Sequence, residues 1–471
     1  MQLPITGGFY SLPSTSVSNQ RCVNLYTHIA EGASETQEQL QGFSGINENT
    51  DTGLGKTRGA IVFQNELYRV DGNSLVRITQ FGVVDNVSGS ETVTGNSRLF
   101  LAENGESICI VDPYGNTYFY DKTNGLVKNI NADFQALEAE YGKTRCVTYL
   151  DGYFVFNTDK VLFQSSLPNV NKGQNFNALE FDDADQFPDD LVSVVASQGN
   201  LYAFGVDSFE IYRTASGTTT GDFAFTRVST QNNERGLVGR YNLINADSAV
   251  YFIGGGKFER PSVWELRGAQ LNKISTDAVD SLIEDYDNGF ALAWSERGQF
   301  FRAFTFDKTT LVYNARTSRW CEIQENNFTE GWQVQTINRV YGRLSASNLT
   351  GKEGTLDKEY FTWFGDTILD YCTSQPFGNQ RKPFAVQWLE AVCQSGVGTD
   401  TRTNPTIAMS YSRDGGVTFG NERYRELGAQ GDRTKRQRWY NLGRMDEDIV
   451  FRFAFSEPCQ KTLIGLEASI I

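Results

Sequence analysis

The chain has 471 residues and carries 42 basic against 57 acidic side chains, a formal net charge of −15. Phe 33, Tyr 21 and Gly 45 beside only Pro 10 describe many strands joined by tight turns, and exclude a collagen, a coiled coil or a disordered tail. One histidine, His28, excludes a His-rich metal site or a two-histidine mechanism, and the net charge opposes coating DNA.

In chain order, residues 1–57 are rich in Gly, Ser, Thr and Gln and read as an extended arm that leans on something else. The opening residues lack the basic and apolar regions of a signal peptide, and no apolar run approaches a membrane span. The seven cysteines are scattered without a CxxC pair, which predicts buried free thiols and synthesis in a reducing cytoplasm. His28 reads as a surface or interface residue. Gly53–Thr57 resembles part of a phosphate-binding loop. The full pattern requires Gly at position 50, which is Thr, and no strand and helix flank it, so a loop leading into the first repeat is the better account.

From residue 58 the sequence alternates with period two, and the alternation recurs. A hairpin closing on Ile, Val or Phe ends at positions 78, 130, 181, 228, 274 and 323, at intervals of 46 to 52 residues. About four short strands per interval is the blade size of a β-propeller. The repeat predicts six blades over residues 58–375, or seven if Trp332–Ile368 completes one instead of supplying closing strands. Two short helices interrupt it. One runs from Asn131 to Tyr141 with Phe134, Leu137 and Tyr141 on one face. The other runs from Thr276 to Tyr286 with Val279, Leu282, Ile283 and Tyr286 inward.

Residues 375–383 form a polar, Pro-flanked linker. Beyond it six alternating segments, 385–394, 406–412, 417–427, 436–442, 449–455 and 462–470, predict a β-sandwich-like domain over 384–471. The fold class is therefore all-β: arm, propeller and sandwich.

Three further motifs carry a chemical reading beside a plain one. Ser412–Phe419 resembles the Asp-box of sialidases, a turn in which Asp414 ties its own amides; a single copy outside the repeats supports a glycosidase weakly. Asp182, Asp183, Asp185, Asp189 and Asp190 crowd one loop but lack EF-hand spacing, which favours a solvated loop over a Ca²⁺ site. Arg433, Lys435, Arg436 and Arg438 precede Trp439. On a strand Arg436 and Arg438 share one face and Trp439 takes the other, which suits a protein interface better than nucleic acid.

Four collinear stretches carry a resemblance. They are Arg21–Tyr26 with Leu40–Ile46, Ser208–Gly221, Arg235–Val279, and the C-terminal run through Ser410–Gly416, Arg438–Arg444, Val450–Phe453 and Leu463–Leu466. In this order the chain resembles the tail hub, or nozzle, proteins of short-tailed bacteriophages, also called packaged DNA stabilisation proteins. Ser44 stands where that family often has Pro. The resemblance implies a structural virion protein and no enzyme, with no catalytic, cofactor or metal residues. It implies a ring of six copies below the head-to-tail adaptor, contacts with a tailspike or tail fibre and with a tail needle or plug, and a channel for double-stranded DNA that is not tightly bound. An acidic wall suits such a channel. Candidate assembly residues are Asn24, Leu25 and Tyr26 in the arm, and Arg433, Lys435, Arg436, Arg438 and Trp439 in the sandwich. The alternatives are a carbohydrate-active propeller, sialidase-like or lectin-like, and an intracellular propeller scaffold.

Overall fold

The computed structural model describes residues 2–11, 19–30, 37–184, 189–215, 221–228, 234–284, 289–325, 328–378 and 382–471. Strands dominate, and most pair with their immediate neighbours in sequence. Thr57–Phe63, Glu66–Asp71, Ser74–Ile78 and Val84–Asn86 form one antiparallel sheet; the strands from Phe100–Glu103 to Gly125–Lys128 form the next, and those from Cys146–Leu150 to Phe181–Asp182 a third. The sheets that follow start at Leu191–Ser197, at Leu243–Ala246 and at Phe290–Glu296. The last is Thr336–Val340, Arg343–Ser347 and Lys352–Asp357, completed by Gly45–Asp51 from the other end of the chain.

The first strand of each sheet touches the first strand of the next, and Thr336–Val340 returns to Thr57–Phe63, so the sheets close a ring of seven. Closure covers each sheet's faces with its neighbours and leaves only short, protected edges. The apolar face of each sheet packs on its neighbour. Between the second and third blades, for example, Phe119, Phe134, Phe154, Phe156, Phe163 and Phe176 form one cluster. Helix Ala132–Tyr141 delivers Phe134 and Leu137 to it, and the Asn131 side chain caps the helix by accepting from the amides of Asp133 and Phe134. The second helix, Asp277–Glu284, buries Ala278, Val279 and Ile283; Tyr286 lies outside the described residues.

The repeat was read one strand out of frame at its start. Leu67–Ile78 spans the second and third strands of its blade, whereas Tyr118–Ile130 covers the third and fourth strands of the next. Both are hairpins with the same alternation, so the spacing survived the frame shift. Of the two blade counts the repeat allowed, the seventh blade is present: residues 336–357, within Trp332–Ile368, supply three of its strands and residues 45–51 the fourth.

Five of the C-terminal strands fall close to where alternation placed them, at Phe384–Cys393, Thr406–Ser412, Gln437–Met445, Asp448–Phe455 and Thr462–Ile470, while the segment expected over 417–427 is a strand only at Arg423–Glu426. They do not form a separate unit. One sheet runs in the order 437–445, 384–393, 462–470, 38–42, 25–29, with Gln2–Leu3 also paired to 462–470. The facing sheet joins 423–426, 406–412, 448–455 and Asp370–Thr373, then continues through Cys22–Val23 into the sixth blade at Arg319–Ile323. The segment 1–57 is therefore not an arm without a core. Its strands complete the seventh blade and both sandwich sheets, and Leu3, Ile5, Leu25, Tyr26 and Leu40 belong to the same apolar core as Trp294, Trp363 and Trp439.

Candidate assembly site

The assembly candidates lie on, or just before, two strands of one sheet. Leu25–Ile29 and Gln437–Met445 are its opposite edges with three strands between them, roughly 19 Å apart at the usual strand spacing. The structure does not bring the two groups together.

Asn24, Leu25 and Tyr26 are buried, which corrects their reading as interface residues. Asn24 adopts φ 60°, a left-handed conformation that Asn tolerates. In that turn its side-chain amide donates to the carbonyls of Gln324 (2.9 Å) and Leu369 (2.7 Å), and its Oδ1 accepts from the Gln324 amide (2.9 Å). One side chain thus ties the N-terminal segment to the end of the sixth blade and to the lead into the sandwich. Beside it Arg21 grips Glu322 through two bonds of 2.9 and 2.8 Å. The Tyr26 ring packs 5.1 Å from Phe43 and 5.0 Å from Phe301, so this segment is internal mortar.

In the sandwich, Trp439 is also wholly buried, its ring 5.8 Å from Phe453 and its indole N–H donating to the Arg423 carbonyl at 2.9 Å. Its reading as an interface residue is likewise corrected: alternation turns it inward, and Arg436 and Arg438 outward. Those two arginines converge on one carboxylate. Glu390 lies directly across from Arg438 in the sheet. It accepts from Arg436 at 2.6 and 2.8 Å and from Arg438 at 2.9 and 2.5 Å. Burial works against the Glu390 charge, but the two guanidiniums outweigh it and hold the carboxyl below its ordinary value. Arg438 also lies 4.3 Å over the Trp388 ring. Lys435 is bound to Glu426 at 2.5 Å. Arg433 is exposed and forms no ion pair among the described residues. The positive charge of the basic run at 433–438 is therefore largely neutralised by Glu390 and Glu426, neither of which is adjacent in sequence.

The other motifs find structural uses. Asp414 accepts from the amides of Val417 (3.1 Å) and Thr418 (2.9 Å) and from the hydroxyls of Ser412 and Thr418, both at 2.5 Å. These donors hold its carboxyl well below the usual range. It fastens its own turn. Asp189 accepts from the amides of Asp207 and Ser208 at 2.8 and 3.0 Å, and Asp182 from the Tyr212 hydroxyl at 3.0 Å. Asp185 lies outside the described residues. Gly53–Thr57 links Gly45–Asp51 to the first blade; Thr57 donates to Asp71 at 2.8 Å, and a strand, not a helix, follows the loop. His28 lies on strand Leu25–Ile29 opposite Gln39, with Nδ1 3.2 Å from the Gln299 amide nitrogen.

Sequence reasoning missed an exposed group on the sandwich. Strand Arg423–Glu426 is exposed along its whole length and carries Arg423, Tyr424 and Arg425; Arg413 reaches the same face. The Arg-Tyr-Arg alternation was its signal. It was overshadowed by the denser basic run that follows.

Comparison with known proteins assigns both parts of the chain. A family described as the β-propeller of bacteriophage P22 Gp10 matches residues 1–359, and one described as the β-sandwich of the same protein matches residues 371–471. The first includes the N-terminal strands, in keeping with their place in the fold. The tail hub protein gp10 of Salmonella phage P22 is 24% identical over 447 residues, covering 91% of this chain and 90% of that protein. Among solved structures, a streptogramin B lyase (11% identity, TM-score 0.43) covers 66% of this chain and 97% of its own. The WD40 propeller domain of Doa1 (9% identity, TM-score 0.39) covers 67% and 98%. Likeness at that level carries no function to this chain.

Proposed function

The chain belongs to the bacteriophage P22 Gp10 family, is a structural tail hub component of the virion, and from that premise we propose that six copies form a ring below the head-to-tail adaptor. In this reading the ring holds packaged DNA in the head, offers attachment to a tailspike or tail fibre and to a needle or plug, and conducts DNA at ejection. The observation that carries it is the collinear match of both parts, propeller then sandwich, along nearly the whole chain. The charge supports it: a chain of −15 repels passing duplex, where clustered basic residues would retain it. The reading includes no catalytic step. Asp414, the one residue that suggested a glycosidase, is engaged within its own turn. Among the described residues no helix is long and apolar enough to cross a membrane.

The ring contacts belong to exposed side chains, so Arg433, Lys435 and Arg436 remain candidates. Asn24, Leu25, Tyr26 and Trp439 act by holding the fold that presents them. The test is packaged DNA per purified head, with and without this protein. Heads lacking it are expected to fill and then leak, and added protein to restore retention. Full retention in its absence would refute the reading.

A further inference from the structure

The sandwich differs from the rest of the chain in charge and in how its arginines are held. Residues 384–471 contain eleven basic and eleven acidic side chains, so the entire net charge of −15 lies on residues 1–383. Within the neutral part the charges are sorted. Glu390 serves Arg436 and Arg438, Glu426 serves Lys435, and Asp414 serves its own turn. Arg413, Arg423 and Arg425 are exposed and form no ion pair among the described residues.

Their guanidiniums are nevertheless held in place. Arg413 lies 5.6 Å and Arg423 5.8 Å from the Tyr411 ring, and Arg425 lies 5.8 Å from the Trp439 ring. Arg425 is also anchored by donating to the Arg438 carbonyl at 2.8 Å. Stacking orients a planar donor fork before any partner arrives, which lowers the entropy lost on binding. Tyr424, between them on the strand, alternates to its other face and donates to Glu422 at 2.6 Å. Exposed arginines oriented on a strand and lacking carboxylate partners of their own are residues that interfaces favour.

We propose that this face, Arg413, Arg423 and Arg425, grips the acidic propeller part of a neighbouring copy of the same chain. Charge complementarity selects the occupant, since every copy brings one basic face and one strongly acidic body. DNA is the poorer occupant, because its phosphates would have to approach through the field of the −15 propeller. A contact between two different faces is head-to-tail, and head-to-tail contacts generate rings when the rotation closes. The proposal rests on the ring reading above and names the surface that builds it.

The test is sedimentation velocity of the purified full chain at about 50 and 500 mM salt, where screening lengths differ several-fold. The wild type is expected to assemble at low salt and to dissociate at high salt. R423E/R425E and the milder R413Q/R423Q/R425Q are expected to assemble at least tenfold less tightly, with melting temperatures near wild type. K128E/K160E alters net charge as much as R423E/R425E, but on exposed propeller lysines, and is expected to behave as wild type. Wild-type assembly by the arginine variants, salt-insensitive assembly, or a wild type that stays monomeric would overturn the proposal. So would variant rings that form normally yet fail to join tails, since the face would then serve another tail component. Each of these results leaves the hub reading standing, because that reading is judged by DNA retention.

Discussion

The two sides of this molecule are built by different rules. In the first five blades almost every strand pairs with the one before or after it, and the connections are short turns. In the corner made by the last two blades and the sandwich, partners come from opposite ends of the chain. Gly45–Asp51 pairs with Lys352–Asp357, Glu38–Gly42 with Thr462–Ile470, and Cys22–Val23 with both Arg319–Ile323 and Asp370–Thr373. Local pairing makes a repeat and shows in the sequence. Distant pairing makes a weld and does not, because nothing in a strand's own alternation names a partner hundreds of residues away.

The most severe way to break the weld is to remove residues 1–57. If these residues formed an independent arm, the remainder would be a folded, cooperatively melting monomer. The strands they supply indicate a different result. The seventh blade loses its fourth strand, one sandwich sheet loses three strands, and the bridge between sandwich and sixth blade disappears. The truncated chain is expected to lack a cooperative thermal transition by circular dichroism and to be cut readily by protease. A sharp melt near the wild-type temperature would show that the weld is dispensable.

A smaller break targets the closure itself. Arg69 and Asp71 form a wholly buried pair on the second strand of the first blade. Asp71 also accepts from Thr52 and Thr57 at 2.8 Å each, and Arg69 donates to the Gly351 carbonyl of the seventh blade at 2.6 Å. Asp71→Ala leaves a guanidinium buried without its counter-charge, which costs about 3–5 kcal/mol. Asp85→Asn removes a carboxylate from Arg77 on the rim of the same blade, where both side chains are a third or more exposed, and should cost under about 1 kcal/mol. Chemical denaturation of the two variants compares them directly. Equal losses would mean that ring closure gains nothing from its buried pair.

The same contrast explains what could be read from the sequence. Period-two alternation and the spacing of about 50 residues revealed the blades, and five of the six C-terminal strands lay within a few residues of prediction. The count of blades stayed open between six and seven because one strand of the seventh comes from residues 45–51, outside the repeat. The candidate site fared less well. Alternation correctly turned Arg436 and Arg438 away from Trp439, but the exposure of Asn24–Tyr26 and Trp439 was misjudged. Polar and aromatic residues in a Gly-rich segment look like surface until distant strands cover them. Glu390, which neutralises the arginine pair, is 46 and 48 residues away in sequence and becomes its neighbour only through strand register.

Asn24 sharpens the comparison at one residue. Its side chain makes three hydrogen bonds to two distant segments from a left-handed turn. Asn24→Ala loses the bonds, leaves buried backbone groups unpaired and strains the turn, an expected cost of about 2–4 kcal/mol. Asn24→Gly loses the bonds but relaxes the backbone, so it should fall between alanine and wild type. Equal stability of all three would show that the joint is held by the strands alone.

The smallest expected effect is a dependence on pH at the seam between the sixth and seventh blades. Glu325 follows strand Arg319–Ile323 and accepts from the Gln333 amide at 3.1 Å. Burial raises its pKa from the ordinary 4.5 to about 7, the Gln333 bond opposes that rise, and Asp366 and Glu330 add to it. The folded chain therefore holds a proton here that the unfolded chain releases. That contribution is complete below about pH 4.5 and is lost as pH rises through about 7. Glu325→Gln supplies a neutral side chain of the same shape that still accepts from Gln333. At pH 8 the variant should melt about one to three degrees above wild type, and at pH 4.5 the two should coincide. Comparing the variant with wild type at each pH cancels the titration of the other carboxylates, which the two share. A difference that is the same at both pH values would place the Glu325 charge in solvent in the folded state, and the seam between the welded blades would be wetter than its packing indicates.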